Sequence, residues 1–283
     1  AHRAKHFFAQ GGLPIVLPLK DMAQEAIIEY NQTYASLFPF VSGRHLVRGG
    51  LSQSALQSMA YRQAQSHRLT IEKTIPDKMP VDRIGQWNRD DVVHRAEAIL
   101  QQIQQKPVTT PFDKLAQTVL ALKLRLISQQ ALPSKTFDLK PDHLIHGDYH
   151  EANLFFDAQD NVSHIFDLEK ARLSARLLEL VRCVEFTCFS DGSQSGYAYA
   201  DRNFQAANTY LKQYHAYYPF DLSHLKQAYL VRYWDAVHSL WIEEEHYQHD
   251  NQRVDGFLPG TLQKLRYLSK HQNQFIERIL RNL

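Results

Sequence analysis

Along most of the 283-residue chain, apolar residues return every three or four positions, the period of a helix with one buried face. Leu51, Ala55, Leu56 and Met59 open the first long stretch of this kind, and Ser52 is placed to cap it. Further helices are predicted from Asp90 or Asp91 through "VVHRAEAILQQIQQ", from Pro111 or Phe112 through "KLAQTVLALKLRLISQQ", and over residues 176–189, 203–217, 222–247 and 262–283. The intervening "RLTIEKTIPDKMPVDRIGQW" has no such period and reads as an irregular connection.

Two regions break the helical rhythm. In residues 13–40, "LPIVLPL" is a short β-branched run between prolines, and "AIIEY-NQ-TYASLFPF" reads as two strands around an Asn31-Gln32 turn. In residues 143–169, a short strand at Leu144 and Ile145 leads into a polar loop. "NLFF" and "VSHIFDLE" follow, joined by a turn over residues 157–161 into a β-hairpin. The opening "AHRAKHFFAQGG" has no initiator Met and reads as a helix already under way, closed by Gly11-Gly12. The first strands of the small β region are therefore expected to be missing ahead of it. The pattern as a whole predicts an α+β protein, the remnant of a small β N-terminal lobe over residues 1–41 and a large, mainly helical C-terminal lobe over residues 42–283.

Composition narrows the function classes. A formal net charge of +2 and a pI near 8.4 supply no global field to recruit nucleic acid or an anionic membrane. No apolar run approaches the ~18 residues of a membrane span, and no signal peptide opens the chain. Cys183 and Cys188 diverge on a predicted helix, so both are expected reduced. A cytoplasmic protein is the expectation; its oligomeric state is open.

The candidate chemistry lies in "HLIHGDYHEANLFF", residues 143–156. Asp148 and Asn153 are five positions apart, and Asp167 follows at the end of the hairpin, so three oxygen-bearing side chains gather at one end of a two-stranded ribbon. Phosphoryl transfer uses such a set: a carboxylate to orient a hydroxyl and accept its proton, and an amide plus a second carboxylate for magnesium. A polar turn capping its own backbone would explain residues 148–153 but not Asp167. A binuclear phosphoesterase would use Asp148 and His150 as a D-x-H metal motif, but the further G-D and G-N-H segments it needs are not in the sequence.

"HGDYHEANLFF" followed by "HIFDLEKAR" resembles the aminoglycoside phosphotransferase and choline kinase family, protein-kinase-like phosphotransferases whose signature is H-G-D-x-H-x-x-N and then hydrophobic-D-x-E/D. "GGLPIVLPL" and "SLFPFVSGRHL" are similar to that family's fourth strand and hinge. The resemblance implies Asp148 as catalytic base, His146 as support for the loop, Asn153 and Asp167 as magnesium ligands, and ATP as phosphoryl donor. It places adenine against the backbone near Phe40, with Phe38 and Val41 completing that part of the pocket, and a small-molecule hydroxyl as acceptor: an amino sugar, an amino alcohol or similar. Glu169 matches the family's second acid. Tyr149 stands where the family often has a smaller apolar residue, and no Gly-rich phosphate loop or paired strand lysine precedes residue 13. Two other readings follow: a bacterial stress-type Ser/Thr protein kinase, from "LFPFVSGRHL", and a nucleotide- or partner-binding module without turnover.

Acceptor contacts are expected in the later helices. Glu179 and Arg182 read as a surface ion pair, with Arg182 also a candidate for the substrate cleft. On one continuous helix, Leu230, Trp234, Val237, Trp241 and Glu244 would share a face, with Glu245 alongside, an aromatic stripe with an acidic end suited to a cationic or polyhydroxyl acceptor. An ordinary core stripe ending in a solvated acidic turn fits the same pattern.

Overall fold

A computed structural model describes residues 2–20, 26–129, 137–193, 196–281 and 283. Helix α1 (His2–Gln10) ends where Gly12 takes a positive φ of 82°. Strands β1 (Ile28–Tyr30) and β2 (Thr33–Ala35) form a hairpin whose two-residue turn, Asn31 and Gln32, has φ of 47° and 60°. Positive φ at both positions matches the right-handed twist of the strands. Residues 13–19 do not form the expected strand. Pro14 and Pro18 lack the N–H groups a ladder needs, and among the described residues the stretch pairs through a bridge from Ile15 to Ile165 and a bond from Leu19 N to the Leu37 carbonyl at 2.8 Å.

The helical part comprises α2 (Gln53–Glu72), α3 (Arg89–Gln104), α4 (Pro111–Gln129), α5 (Arg176–Cys188), α6 (Asp201–Tyr217), α7 (Leu222–His238), α8 (Trp241–Gln248) and α9 (Leu258–Leu280). Ser52 caps α2 as its side chain accepts from Ala55 N at 3.2 Å, while its hydroxyl donates to Asp160 in the hairpin turn at 2.5 Å. Helix α2 continues to Glu72, into the stretch read as irregular, and α3 is capped by Asn88 rather than an aspartate. Helix α2 packs along α6, and α5 packs on α7. Leu144, Leu154, Phe156, Leu180, Val181 and Val184 lie in one continuous core.

The expected helix over residues 222–247 is two helices. Ser239 is extended (φ −76°, ψ 126°), and its carbonyl accepts from the buried Lys123 ammonium at 2.6 Å instead of continuing the helical ladder. The aromatic stripe is broken at that point, and Trp241 starts α8.

Between α4 and α5 lie two ribbons. Strand β3 (His143–Ile145) pairs antiparallel with β6 (Arg172–Ser174), and β4 (Leu154–Phe156) pairs antiparallel with β5 (Val162–Ile165), with an irregularity between Phe155 and Phe156. Arg44 adds an antiparallel bridge to Phe156, which fastens the segment between the two regions to the hairpin. No helix among the described residues is long and apolar enough to cross a membrane.

Candidate active site

The loop from β3 to β4 carries Asp148 and Asn153, and the turn after β5 carries Asp167. Three features hold these segments together. His146 Nε2 donates to the Phe166 carbonyl at 2.6 Å, while its Nδ1 accepts from Asp148 N at 3.3 Å. Asn153 Nδ2 donates to the Asp148 carbonyl at 2.9 Å, and Phe166 N donates to the Asn153 carbonyl at 3.0 Å. Gly147 has a φ of +85°, and a Cβ there would sit 2.0 Å from the Lys170 carbonyl oxygen, so only glycine lets the loop pass this close.

Asp148 is 8% exposed and borders a cavity of about 860 Å³. Its Oδ2 accepts from Lys170 Nζ at 2.8 Å, and its Oδ1 lies 2.5 Å from Arg182 Nη2 and 3.4 Å from His150 Nε2. Burial pushes its carboxyl up, but His150, Arg182 and Lys170 outweigh burial and hold it well below the usual carboxylate range. The group is therefore ionised at neutral pH. Arg182 stacks over Phe186, with its guanidinium carbon 4.8 Å from the ring centroid.

Glu179 is not at the surface, and its partner is not Arg182. The side chain is buried on α5, where Oε1 accepts from Gly147 N at 2.5 Å and Oε2 accepts from His67 Nε2 at 2.8 Å. Tyr214 donates its hydroxyl to His67 Nδ1 at 2.7 Å and accepts from Arg176 Nη1 at 3.0 Å. This direction of donation gives every group in the chain a partner and leaves His67 neutral beside an ionised Glu179. The titration directions agree: burial lowers the His67 imidazole, whereas Glu179, raised by burial, is brought below its ordinary value by His67, His146 and Gly147. A glutamate inside the apolar run "RLLELV" was the available signal for a buried acid.

His67, His143 and His146 are all buried with imidazoles lowered first by burial, His143 to about 4. A histidine lowered in the fold binds its proton on unfolding below about pH 6.5, so stability is highest above that pH and falls as pH drops toward the folded values. Denaturant titrations should show a decline below about pH 6.5 with an uptake of about three protons from this source. An unchanged unfolding free energy between pH 7 and pH 5 would contradict the buried neutral assignment.

At the same end of the ribbon, Asp167 is left-handed (φ 57°) and lies beside the Glu169 carboxyl. The Glu169 carboxyl first, then burial and the negative charge of Asp148, push the Asp167 carboxyl up to about 6. Two neighbouring acids whose charges repel suit a cation, which would relieve that repulsion. Asn153 uses its NH2 on the Asp148 carbonyl, so its amide oxygen remains as a neutral donor at the same end. Magnesium held by Asn153 and Asp167 would supply charge neutralisation for nucleotide phosphates.

The structure separates the expected acceptor contacts. Arg182 and Trp241 line the cavity, with Trp241 half exposed. Glu169 instead faces Asp167 and receives Lys5 of α1 at 2.6 Å. Glu244 pairs with Arg95 of α3, and Glu245 accepts from Asn251 at 2.7 Å; both follow from the helix break, which turns α8 away from the stripe. In their place Glu243 lines the cavity, buried against Lys123 at 2.8 Å. Phe38, Phe40 and Val41 lie on the segment before the Arg44 bridge, and Phe40 is 99% exposed. Sequence reasoning also missed Lys170, which directly follows the matched D-x-E.

The chain joins a small β region to a large helical lobe that holds a buried, ionised aspartate at a cavity wall, an architecture of protein-kinase-like fold. The model of the phosphotransferase enzyme family, APH, matches residues 1–241, and the chain belongs to that family. Among solved structures it is similar to an aminoglycoside phosphotransferase from Alicyclobacillus acidocaldarius, at 16% identity and a TM-score of 0.55 over 96% of this chain and 81% of that one. A spectinomycin phosphotransferase solved with ADP and spectinomycin gives 13% identity and a TM-score of 0.57, covering 99% of this chain and 80% of that one. Choline kinase from Cryptosporidium parvum gives 10% and 0.55, covering 97% and 79%. No curated protein matches the sequence.

Proposed function

We propose that the protein moves the γ-phosphoryl group of ATP to a hydroxyl of a small molecule. The observation that carries this reading is the Asp148 carboxylate, ionised, buried and at the wall of an 860 Å³ cavity, with Asn153 and Asp167 at the same end of the ribbon. Asp148 orients the acceptor hydroxyl and takes its proton as the acceptor oxygen bonds to the γ-phosphorus; the bond from that phosphorus to the bridging oxygen breaks, and ADP leaves. Lys170 and Arg182, both on Asp148, bring positive charge to where the transferred group develops negative charge. Adenine rests against the segment at Phe38, Phe40 and Val41. The ADP in the similar spectinomycin phosphotransferase structure supports ATP as donor, and a cavity of this size suits a small acceptor better than a polypeptide. Amino sugars and amino alcohols are the first acceptor classes to consider, and a cytoplasmic location fits the use of ATP.

Asn153→Ala and Asp167→Ala test the metal assignment. Asp167→Ala should weaken magnesium-nucleotide binding by about 10- to 100-fold, the scale on which metal sites respond to losing a supporting group. Asn153→Ala should have a smaller effect, because it removes a neutral donor. Magnesium titrations at fixed nucleotide read this directly. Unchanged metal dependence in both variants would remove the two residues from the site.

A further inference from the structure

The cavity beside Asp148 has a charge pattern that bears on the acceptor. Among the described residues its wall has seven lysine or arginine side chains against five carboxylates. Six of the seven cations hold a carboxylate oxygen within 3.2 Å. Arg232 of α7 is the exception. Its guanidinium lies 3.6 Å from Glu185 and 3.6 Å from Asp235, both longer than a hydrogen bond, and its Nε has no partner among the described residues. Each carboxylate has a shorter bond elsewhere: Glu185 Oε2 accepts from Lys264 Nζ at 2.6 Å, and Asp235 accepts from Trp87 Nε1 at 2.9 Å through Oδ1, with Oδ2 facing Arg232. Burial disfavours the guanidinium charge, but Glu185 and Asp235 outweigh it and keep Arg232 charged. A largely buried guanidinium with unmet donors is costly unless something binds it. Arg232 remains 20% exposed, toward the cavity it lines.

Resting on the proposed phosphotransferase reading, we propose that Arg232, supported by Lys264, is a carboxylate-binding subsite, so that the acceptor is a hydroxy compound carrying a carboxylate. The planar guanidinium fork matches a carboxylate in two parallel hydrogen bonds. A phosphate dianion fits less well, because Glu185 and Asp235 stand beside the same guanidinium and repel a second negative charge. The spacing is suitable. Arg182, on Asp148, and Glu185, beside Arg232, are three residues apart on α5, so the supports of the hydroxyl end and the carboxylate end are separated by on the order of one helical turn, ~5 Å. Glu244 and Glu245, which would have favoured a cationic acceptor, are engaged elsewhere.

The test uses gluconate, homoserine and serine as carboxylate acceptors, sorbitol and glycerol as neutral ones, ethanolamine and choline as cationic ones, and glycerol phosphate as the phosphate. Two readouts are taken with magnesium-ATP: release of ADP, and the thermal shift each compound produces. At least one carboxylate compound should be phosphorylated in preference to the neutral and cationic compounds. Arg232→Gln should raise its KM by about 10- to 100-fold, the scale of losing a charge-assisted pair, with kcat changed by no more than a few-fold. Arg232→Lys, which keeps the charge but not the fork, should fall between. A carboxylate-specific thermal shift that Arg232→Gln abolishes, with no ADP release for any compound, would support the subsite and count against the phosphotransferase reading alone. Turnover of sorbitol, choline or glycerol phosphate in preference to every carboxylate would overturn the subsite and leave the phosphotransferase standing. The absence of any carboxylate-specific shift or turnover would overturn it too, as would an equal loss of kcat on all acceptors in Arg232→Gln.

Discussion

Asp148→Asn should lower turnover by about 10²–10⁴-fold, the usual scale for losing a general base, while nucleotide affinity changes by no more than a few-fold. The amide keeps the shape of the carboxylate but cannot accept the acceptor proton. Fold should survive the change. The loop is anchored by His146 on the Phe166 carbonyl and by Gly147 on Glu179, neither of which uses the Asp148 side chain. The cations left behind are not trapped: Lys170 is 65% exposed and can turn to solvent, and Arg182 keeps its contact with Phe186. Steady-state rates together with nucleotide titration separate the two effects. Turnover within a few-fold of the unmodified protein would remove Asp148 from the chemistry.

The largest effect on stability is expected from Glu179→Ala. It leaves His67 Nε2–H and Gly147 N–H buried without an acceptor, and it breaks the buried chain from Arg176 through Tyr214 and His67 to the loop. Losing two buried hydrogen bonds to an ionised carboxylate, at about 1.5–3 kcal/mol each, costs about 3–6 kcal/mol, which for a chain of this length lowers Tm by on the order of 10 °C. Because Glu179 supports the backbone just before Asp148, turnover should fall as well, even at temperatures where the variant is folded. Glu179→Gln should be milder. Its amide retains one acceptor, and His67 can present the other nitrogen, at the cost of rearranging the Tyr214 hydroxyl. Calorimetric Tm for the three proteins decides this, and a loss of less than 2 °C in Glu179→Ala would show that the network is incidental to the fold.

Local chemistry was legible in the sequence wherever short-range rules govern it. The Asn31-Gln32 hairpin turn, the Ser52 cap and the hairpin between Phe156 and Val162 follow from residue types within a few positions of one another, and the structure forms all three. The cluster of Asp148, Asn153 and Asp167 belongs to the same class, because a hairpin fixes where its ends lie. What the sequence could not convey depends on long-range partners. The break at Ser239 requires Lys123, more than a hundred positions away, to compete for a backbone carbonyl. Helical periodicity has no view of such a competitor, so the stripe through Trp241 and Glu244 looked continuous. Glu179 was misplaced for a related reason. Charge pairing three residues apart is the default for a surface helix, and only burial against His67 of α2 shows that the carboxylate serves the loop. The strand expected over residues 13–19 failed against a rule visible in its own sequence, since prolines at 14 and 18 remove two ladder donors.

The most direct test of the central claim is phosphorus NMR of the protein with magnesium-ATP and a mixture of small hydroxy compounds. A new phosphomonoester signal should grow as the γ-phosphate signal falls, only when magnesium and the acceptor mixture are both present, and it should be lost in Asp148→Asn although that variant still binds nucleotide. Phosphate appearing on protein instead of a small molecule, ATP bound without any phosphoester formed, or transfer that persists in Asp148→Asn would contradict the account.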